Sequence, residues 1–251
     1  MAARIVFANQ KGGVGKTTTA VNLGAAMAGD GGRVLLIDFD PQANSVSSLG
    51  ADGTRAGIYE VITGSCTVAD VVQETAVDRL FIIPSSINLA GAAIELVDQE
   101  RRDFFLKDAL ADLDYDYDYI FIDCPPSLGI LTLNGLTAAS HVIIPLQCEY
   151  FALEGLSRLM QTIERVRSTV NPALQVGGIL FTMFDTRTRL SQEIVSEVTG
   201  YFRDKVFRTI IPRNVRLSEA PSYSQPIQLY DPASLGARSY NALALEVASH
   251  V

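Results

Sequence analysis

Short runs of apolar residues recur along the chain, separated by longer segments with helical periodicity. The runs are continuously apolar rather than alternating, which is typical of strands buried on both faces of a sheet. Seven strands are predicted, over Ile5–Ala8, Val34–Ile37, Leu80–Ile83, Tyr119–Ile122, Val142–Leu146, Val176–Phe181 and Val206–Ile211. Helices are predicted over Thr17–Ala28, Leu89–Val97, Phe104–Leu113, Ile130–Ala139, Leu153–Val170, Ser191–Phe202 and Ser234–Val247.

This alternation predicts an α/β fold, in which βαβ units surround a parallel sheet. No linker rich in Gly, Ser or Pro divides the 251 residues, so we predict one domain over residues 1–251. The polar, glycine-rich segment Gly50–Gly64 is interpreted as a surface excursion. Since the first predicted strand begins at the start of the sequence, we expect no helix-turn-helix before it.

Composition narrows the class of protein. Hydrophobic residues make up 48% of the chain and charged residues 19%, values that exclude a disordered or collagen-like protein. No apolar run reaches the roughly 18 residues of a membrane span, and no signal peptide is recognisable, so we expect a cytoplasmic protein. The three cysteines, Cys66, Cys124 and Cys148, have neither disulfide-framework nor zinc-site spacing and are interpreted as reduced, packed thiols.

The charge is acidic overall but unevenly distributed. The formal net charge is −8, from 20 basic and 28 acidic residues. Residues 158–216 nevertheless contain ten Lys or Arg against five Asp or Glu, so this segment is basic. Such asymmetry indicates either an anionic partner or a solvated face.

A glycine-rich loop follows the first predicted strand and leads into the first predicted helix. Its sequence is QKGGVGKTT from Gln10, a residue that replaces the first glycine of the strict phosphate-binding pattern GxxxxGK[ST]. Glycines let backbone N–H groups turn towards phosphate oxygens, and the helix N-terminus adds positive potential. Lys16 is placed to reach the β and γ phosphates, and Thr17 to bind Mg²⁺. The predicted nucleotide contacts in this loop are Lys11, Gly12, Gly13, Val14, Gly15, Lys16, Thr17 and Thr18.

Carboxylates follow two of the predicted strands. Asp38 and Asp40 end the second strand, and Asp123 follows the apolar run that begins at Tyr119. Ligands of open α/β sheets bind at the carboxyl ends of the strands, so these side chains are placed near the glycine-rich loop. Asp123 has the position of a Walker B carboxylate, which holds Mg²⁺ directly or through water. A helix cap or a turn is the alternative role for each aspartate.

The loop resembles that of the deviant Walker A ATPases, whose pattern KGGxGKT is matched from Lys11 to Thr17. This resemblance implies a three-layer α/β/α P-loop NTPase fold with a mostly parallel, twisted sheet. It implies that Lys11 crosses a dimer interface to the phosphates of the partner's ATP. Asp40 would orient or activate the attacking water, and Asp38 would support the shell around Mg²⁺ and phosphate. The implied catalytic residues are Lys11, Lys16 and Asp40, and the implied metal ligands are Thr17, Asp40 and Asp123.

The segments IPRNVRLSEAPS from Ile211 and YDP from Tyr230 resemble the C-terminal part of the ParA/Soj branch, so the resemblance covers nearly all of the chain. In that branch, the residues matching Pro212 and Asn214 frame the adenine. The resemblance implies an ATP-bound homodimer that binds double-stranded DNA without sequence preference on the nucleoid. It also implies slow ATP hydrolysis, stimulation by a ParB-type protein and a role in chromosome or plasmid segregation. The candidate DNA contacts are Arg187, Arg189, Arg213 and Arg216, with Arg158, Arg165 and Arg167 as weaker candidates.

Three other classes of protein remain as alternatives. A MinD-like division-site ATPase would share the loop but bind a membrane, whereas the tail lacks Lys and Arg after Arg238, so no stable membrane association is expected. An iron protein of the nitrogenase-reductase type would need paired cysteine ligands, which the three cysteines do not offer. A metabolic P-loop ligase or kinase would act on a small cosubstrate, for which the sequence contains no separate motif.

Overall fold

The computed structural model describes residues 2–113 and 116–251, which form a seven-stranded sheet with helices on both faces. The strands are β1 (Ala3–Phe7), β2 (Val34–Asp38), β3 (Gln73–Glu74), β4 (Leu80–Ile83), β5 (Tyr119–Asp123), β6 (His141–Gln147) and β7 (Gln175–Thr182). The helices are α1 (Lys16–Gly29), α2 (Asn44–Leu49), α3 (Ile58–Ile62), α4 (Val68–Val71), α5 (Leu89–Glu95), α6 (Phe105–Ala109), α7 (Ile130–Ala138), α8 (Ala152–Thr169), α9 (Arg189–Phe202), α10 (Val215–Glu219), α11 (Ile227–Tyr230) and α12 (Leu235–His250). Met1, Asp114 and Tyr115 of the predicted domain lie outside the described residues.

The order of the strands confirms the predicted mostly parallel sheet. It runs β3-β4-β2-β5-β1-β6-β7, and within the described chain only β3 is antiparallel to its neighbour, β4. The carboxyl ends of three strands lie side by side at its centre, where Asp123 is in register with both Phe7 and Asp38. The topology therefore brings the predicted carboxylates to one edge, next to the loop that follows β1.

Helices cover both faces of the sheet, which confirms the three-layer architecture. On one face, α1 and α12 pack together, and the fully buried Tyr240 hydroxyl lies 3.3 Å from the Thr19 hydroxyl. On the other face, α7 and α8 contribute Leu136, Leu159 and Ile163 to a second buried cluster. Among the helices in the described part of the chain, none combines the length and apolarity needed to cross a membrane.

The prediction of a seventh strand over Val206–Ile211 is wrong. Backbone hydrogen bonds join this segment to β7, but the pairing is limited to isolated bridges. The backbone N–H groups of Arg208 and Thr209 donate instead to the carboxylate of Glu246 on α12, at 2.7 and 3.0 Å. The Glu246 side chain, from a distant helix, thus satisfies backbone N–H groups that strand pairing would otherwise satisfy. No local sequence pattern indicates this contact.

The interpretation of Gly50–Gly64 as a surface excursion is wrong for its second half. That half forms α3, which buries Ile58 and two further apolar residues in the core. Gly57 lets the chain approach the end of β4 closely, since a Cβ atom there would lie 2.2 Å from the Pro84 carbonyl oxygen. A five-residue helix is too short to establish a periodic pattern.

Candidate functional site

The loop between β1 and α1 depends on glycines with positive φ. Gly13 has a φ of 74° and Gly15 a φ of 85°, conformations that residues with a side chain rarely adopt. Gly15 immediately precedes α1, and its carbonyl accepts the first helical hydrogen bond, from the Thr19 N–H at 2.9 Å. The backbone N–H groups of the loop and the positive end of α1 therefore line the same cleft.

Two polar side chains that sequence reasoning missed hold this loop in place. The Thr182 hydroxyl, at the end of β7, donates to the carbonyl of Val14 at 2.8 Å. The Asn9 amide donates to the carbonyl of Pro145 at 2.7 Å, and its oxygen accepts from the Lys11 N–H at 3.0 Å. The only sequence signal for either residue is a polar side chain at the end of an apolar strand.

Lys16 lies deep in the site, with 6% of its surface exposed. Its Nζ donates to the carbonyl of Lys11 at 3.3 Å, within the same loop. Burial lowers the pKa of Lys16, while the carboxylates of Asp123 and Asp40 act in the opposite direction. The structure thus brings this ammonium group and the predicted carboxylates together.

Asp38 and Asp40 occupy different places in the site. Asp38 is fully buried, and its carboxylate accepts from the backbone N–H groups of Asp40, at 3.2 Å, and Val46, at 3.0 Å. Burial raises the pKa of Asp38 well above its usual value, and the adjacent carboxylate of Asp123 adds to the rise. Asp40 lines the cleft itself and accepts from the Gln42 N–H at 3.0 Å. Asp38 therefore shapes the segment that presents Asp40.

Asp123 carries an unsatisfied oxygen. Its Oδ2 accepts a 2.9 Å hydrogen bond from the hydroxyl of Ser45, whereas its buried Oδ1 has no hydrogen-bond partner among the described residues. Burial raises the pKa of Asp123 to about 6, and the hydroxyls of Thr17 and Ser45 oppose that rise. A free carboxylate oxygen near a hydroxyl fits Mg²⁺, which prefers oxygen ligands. Ser45 lies on the short helix α2, which the sequence did not predict.

Two clefts meet at the end of α1. One, of about 400 Å³, is lined by the glycine-rich loop, by Asp40 and by Pro126. The other, of about 420 Å³, is lined by Pro212 and Asn214, among other residues. Both are bordered by Gly15, Thr18, Met183 and Pro221, so they are continuous. Gly12, Gly13, Gly15, Lys16, Thr17 and Thr18 and the two predicted base contacts therefore lie along one extended cavity of a size suited to a nucleotide. Lys11 and Val14, which were also predicted to contact the nucleotide, line neither cleft.

The candidate DNA-binding arginines differ in their relation to this cavity. Arg213 lines the second cleft, whereas Arg187, Arg189 and Arg216 are not among its lining residues. Each of those three forms an ion pair, and the pairs are Arg187–Asp185 at 2.6 Å, Arg189–Glu193 at 2.7 Å and Arg216–Glu219 at 2.9 Å. The Arg187 guanidinium holds the pKa of Asp185 well below its usual value. The basic segment is therefore partly neutralised within the chain.

Neither of the two clefts is lined by a cysteine among the described residues. Cys124 is fully buried, burial raises its pKa well above the usual value, and a Cβ added at Gly135 would lie 2.6 Å from its sulfur. Cys66, which is half-buried, and Cys148, which is buried, are also free thiols. Within residues 2–113 and 116–251, no group of three or more His, Cys, Asp or Glu side chains could hold a metal ion.

The chain is similar to known proteins both in sequence and in structure. A family model described as an AAA domain matches residues 2–176. The chain is 58% identical to the chromosome-partitioning ATPase Soj of Treponema pallidum, over 98% of this chain and 97% of that protein. It is 53% identical to the sporulation initiation inhibitor protein Soj of Bacillus subtilis, over 98% of each. Among solved structures, it is similar to cobyrinic acid a,c-diamide synthase of Mycobacterium smegmatis with bound ATP analog and magnesium, with a TM-score of 0.87, 39% identity, and coverage of 100% of this chain and 96% of that one.

Proposed function

This chain belongs to the Soj/ParA family of chromosome-partitioning ATPases, and we propose that it is an ATP-driven dimerising switch that binds DNA without sequence preference. The observation that carries the proposal is the contrast between the two lysines of the loop. Lys16 is buried beside the carboxylates, whereas 53% of the Lys11 side chain is exposed on the outside of the same loop. Because the Lys11 ammonium lies outside its own cleft, where it pairs with Glu149, we assign it to the nucleotide of a second protomer.

The positions of the site residues support the roles that we propose for them. The cofactors are ATP and Mg²⁺, and bound Mg²⁺ neutralises charge that develops on the β and γ phosphates. The N–H groups of the loop and Lys16 would bind the phosphates, and Thr17, Asp40 and Asp123 would hold the metal ion. Pro212 and Asn214 frame the adenine in the second cleft. All these groups act within one domain.

Slow hydrolysis is part of the proposal. Asp40 is the group that orients the water attacking the γ phosphate, but its carboxylate is engaged by the Gln42 N–H. The carboxylate of Asp38 in turn accepts from the Asp40 N–H, so the segment from Asp38 to Gln42 is fixed by its own hydrogen bonds. A partner that shifts this segment releases Asp40, and we propose that a ParB-type protein does so.

DNA binding depends on local charge rather than on the net charge of the chain. Arg187, Arg189 and Arg216 are paired with carboxylates, yet at least half of each arginine side chain is exposed. DNA phosphates can replace carboxylates as partners of exposed arginines, and each contact releases counterions from DNA. Two protomers supply twice as many contacts, so affinity for DNA rises with dimerisation and places the ATP-bound form on the nucleoid.

Two other functions have less support. Membrane binding of the MinD type needs an exposed apolar helix face, whereas Tyr240, Leu243 and Val247 of α12 are buried. Synthase activity is suggested by the name of the M. smegmatis protein, and such an enzyme consumes ATP only with a cosubstrate. Release of phosphate from ATP alone would favour the switch over the synthase.

The decisive experiment is binding to a random-sequence DNA duplex with ATP and Mg²⁺, with ADP, and without nucleotide. The Asp40→Ala variant holds the ATP state, and a salt series measures the electrostatic contribution. Binding that requires ATP, ignores sequence and weakens steeply with salt is expected. If the chain forms a dimer with ATP but does not bind DNA, the DNA-binding part of the proposal is refuted. A membrane or a protein cargo would then be the favoured partner.

A further inference from the structure

The exposed lysine of the loop is not solvated on all sides. The ammonium group of Lys11 forms an ion pair with the carboxylate of Glu149, a residue that follows β6. Asn9 fixes the backbone of Lys11 at the same time, through the 3.0 Å hydrogen bond to its N–H. Both the backbone and the side chain of Lys11 are therefore held on its own protomer.

This ion pair restricts where the ammonium group of Lys11 can reach. Lys16, not Lys11, projects into the protomer's own cleft, and the Lys16 ammonium also bonds to the Lys11 carbonyl. With Glu149 as its partner, Lys11 is kept from its own nucleotide. In the present geometry the ammonium is held by Glu149 on its own protomer, so an anion on a second protomer competes with Glu149 for its N–H donors.

The strength of the pair suits such an exchange. About half of each side chain is exposed, 53% for Lys11 and 45% for Glu149, so water and salt screen the attraction. A nucleoside triphosphate carries more negative charge than one carboxylate, and charge-assisted hydrogen bonds to phosphate are strong. Phosphates that arrive with a second protomer can therefore displace Glu149.

We propose that Glu149 is a positioning residue that holds Lys11 ready on its own protomer and releases it to the phosphates of a second copy of this chain. The proposal rests on the function given above, in which Lys11 acts across the dimer. It adds that each protomer gives up one ion pair when the dimer forms, so that Glu149 opposes dimerisation until the triphosphate replaces it.

The surroundings of Glu149 connect the ion pair to a contact surface. The next two residues, Tyr150 and Phe151, are 76% and 70% exposed, with ring centroids 5.0 Å apart. Phe151 lines a shallow cleft together with Lys11. A protomer that covers these rings also contacts the ion pair, so docking and the release of Lys11 occur at one place.

The test compares dimerisation of Glu149→Gln with that of Glu154→Gln. Glu154 lies on the same surface, pairs with Arg158 at 2.6 Å, and its variant makes the same change in charge. Sedimentation velocity with Mg²⁺ and a non-hydrolysable ATP analogue gives the protein concentration of half-dimerisation. A symmetric dimer breaks two exposed pairs, each worth a factor of about two, so Glu149→Gln lowers that concentration about fourfold. Glu154→Gln leaves it unchanged.

A second comparison identifies Lys11 as the group through which Glu149 acts. Lys11→Ala itself weakens dimerisation, because the contact across the dimer is lost, so this background is measured at protein concentrations high enough for the dimer to form. No ion pair is then left to break, and adding Glu149→Gln has no further effect on dimerisation. If Glu149→Gln strengthened dimerisation equally with and without Lys11, the proposal would be overturned, because the loss of surface charge alone would explain the effect. Unchanged or weaker dimerisation of Glu149→Gln would also overturn it. A wild-type protein that stays monomeric with the analogue would instead refute the proposed function.

Discussion

The hydroxyl of Ser45 on α2 donates a 2.9 Å hydrogen bond to the Asp123 carboxylate at the end of β5. This bond orients one oxygen of Asp123 and leaves the other, which has no partner among the described residues, for a cation. We predict that Ser45→Ala weakens binding of the Mg²⁺ nucleotide about tenfold, because outer-shell partners of a metal ligand typically affect metal affinity by this order. Isothermal titration of the nucleotide with and without Mg²⁺ measures the effect.

Ser48 on the same helix provides the matched control. Its hydroxyl donates to the Asn44 carbonyl at 2.7 Å, a local bond within α2. In Ser48→Ala, the affinity for the nucleotide should depend on Mg²⁺ as it does in the wild type. An equal loss of affinity in both variants would show that α2, rather than Asp123, accounts for the change.

Gly15 is the glycine whose replacement should affect the nucleotide site most directly. With a φ of 85°, alanine at this position is strained by about 1–2 kcal/mol, and relief of the strain turns the loop N–H groups away from the phosphates. We predict that Gly15→Ala lowers the free energy of unfolding by this amount and abolishes nucleotide binding. Gly29→Ala, at the open end of α1, should be neutral or stabilising by up to about 1 kcal/mol. Chemical denaturation and nucleotide titration of both variants test the contrast.

The sequence alone predicts those parts of the structure that are determined by one continuous segment. Apolar runs between helical segments predicted six of the strands and the layers around them, and the glycine pattern predicted the loop that ends at Gly15. Ser45 and Glu149 were missed because each acts on a residue far away in the chain, Asp123 or Lys11. The failed strand over Val206–Ile211 has the same origin, since Glu246 captures its N–H groups. Tertiary hydrogen bonds of this kind leave no periodic pattern.

Asn214 combines a structural contact with its proposed role at the adenine. Its side-chain oxygen accepts from the Leu217 N–H at 3.3 Å and so caps α10. Asn214→Asp keeps an oxygen for the cap but loses the amide donor. We predict that this variant retains wild-type thermal stability and loses discrimination between ATP and GTP, measured by competition binding. If discrimination persists in the folded variant, Asn214 serves only as a cap.

Arg189 tests the proposed DNA surface through its ion pair with Glu193. Arg189→Glu should weaken DNA binding and reduce the salt slope by about one for each lost phosphate contact, without impairing dimerisation. Glu193→Gln should strengthen DNA binding, because it frees the arginine. Arg101→Glu is the control, since Arg101 is also paired, with Asp108 at 3.0 Å, and the change in charge is the same. Equal losses in Arg189→Glu and Arg101→Glu would exclude a specific contact by Arg189.

Glu246 connects the stability of the fold to the base end of the cavity. Its carboxylate accepts from the N–H groups of Arg208 and Thr209, in the segment that leads to Pro212. Since these groups lack strand partners, Glu246→Ala should cost about 1 kcal/mol and lower Tm by about 2–4 °C. The affinity for ATP should fall as well, because the same segment carries the adenine contact. Glu197→Ala removes the same charge from an exposed position on α9 and should alter neither Tm nor the affinity for ATP. If Glu246→Ala lowered Tm without lowering the affinity for ATP, Glu246 would stabilise the fold but would not support the adenine contact.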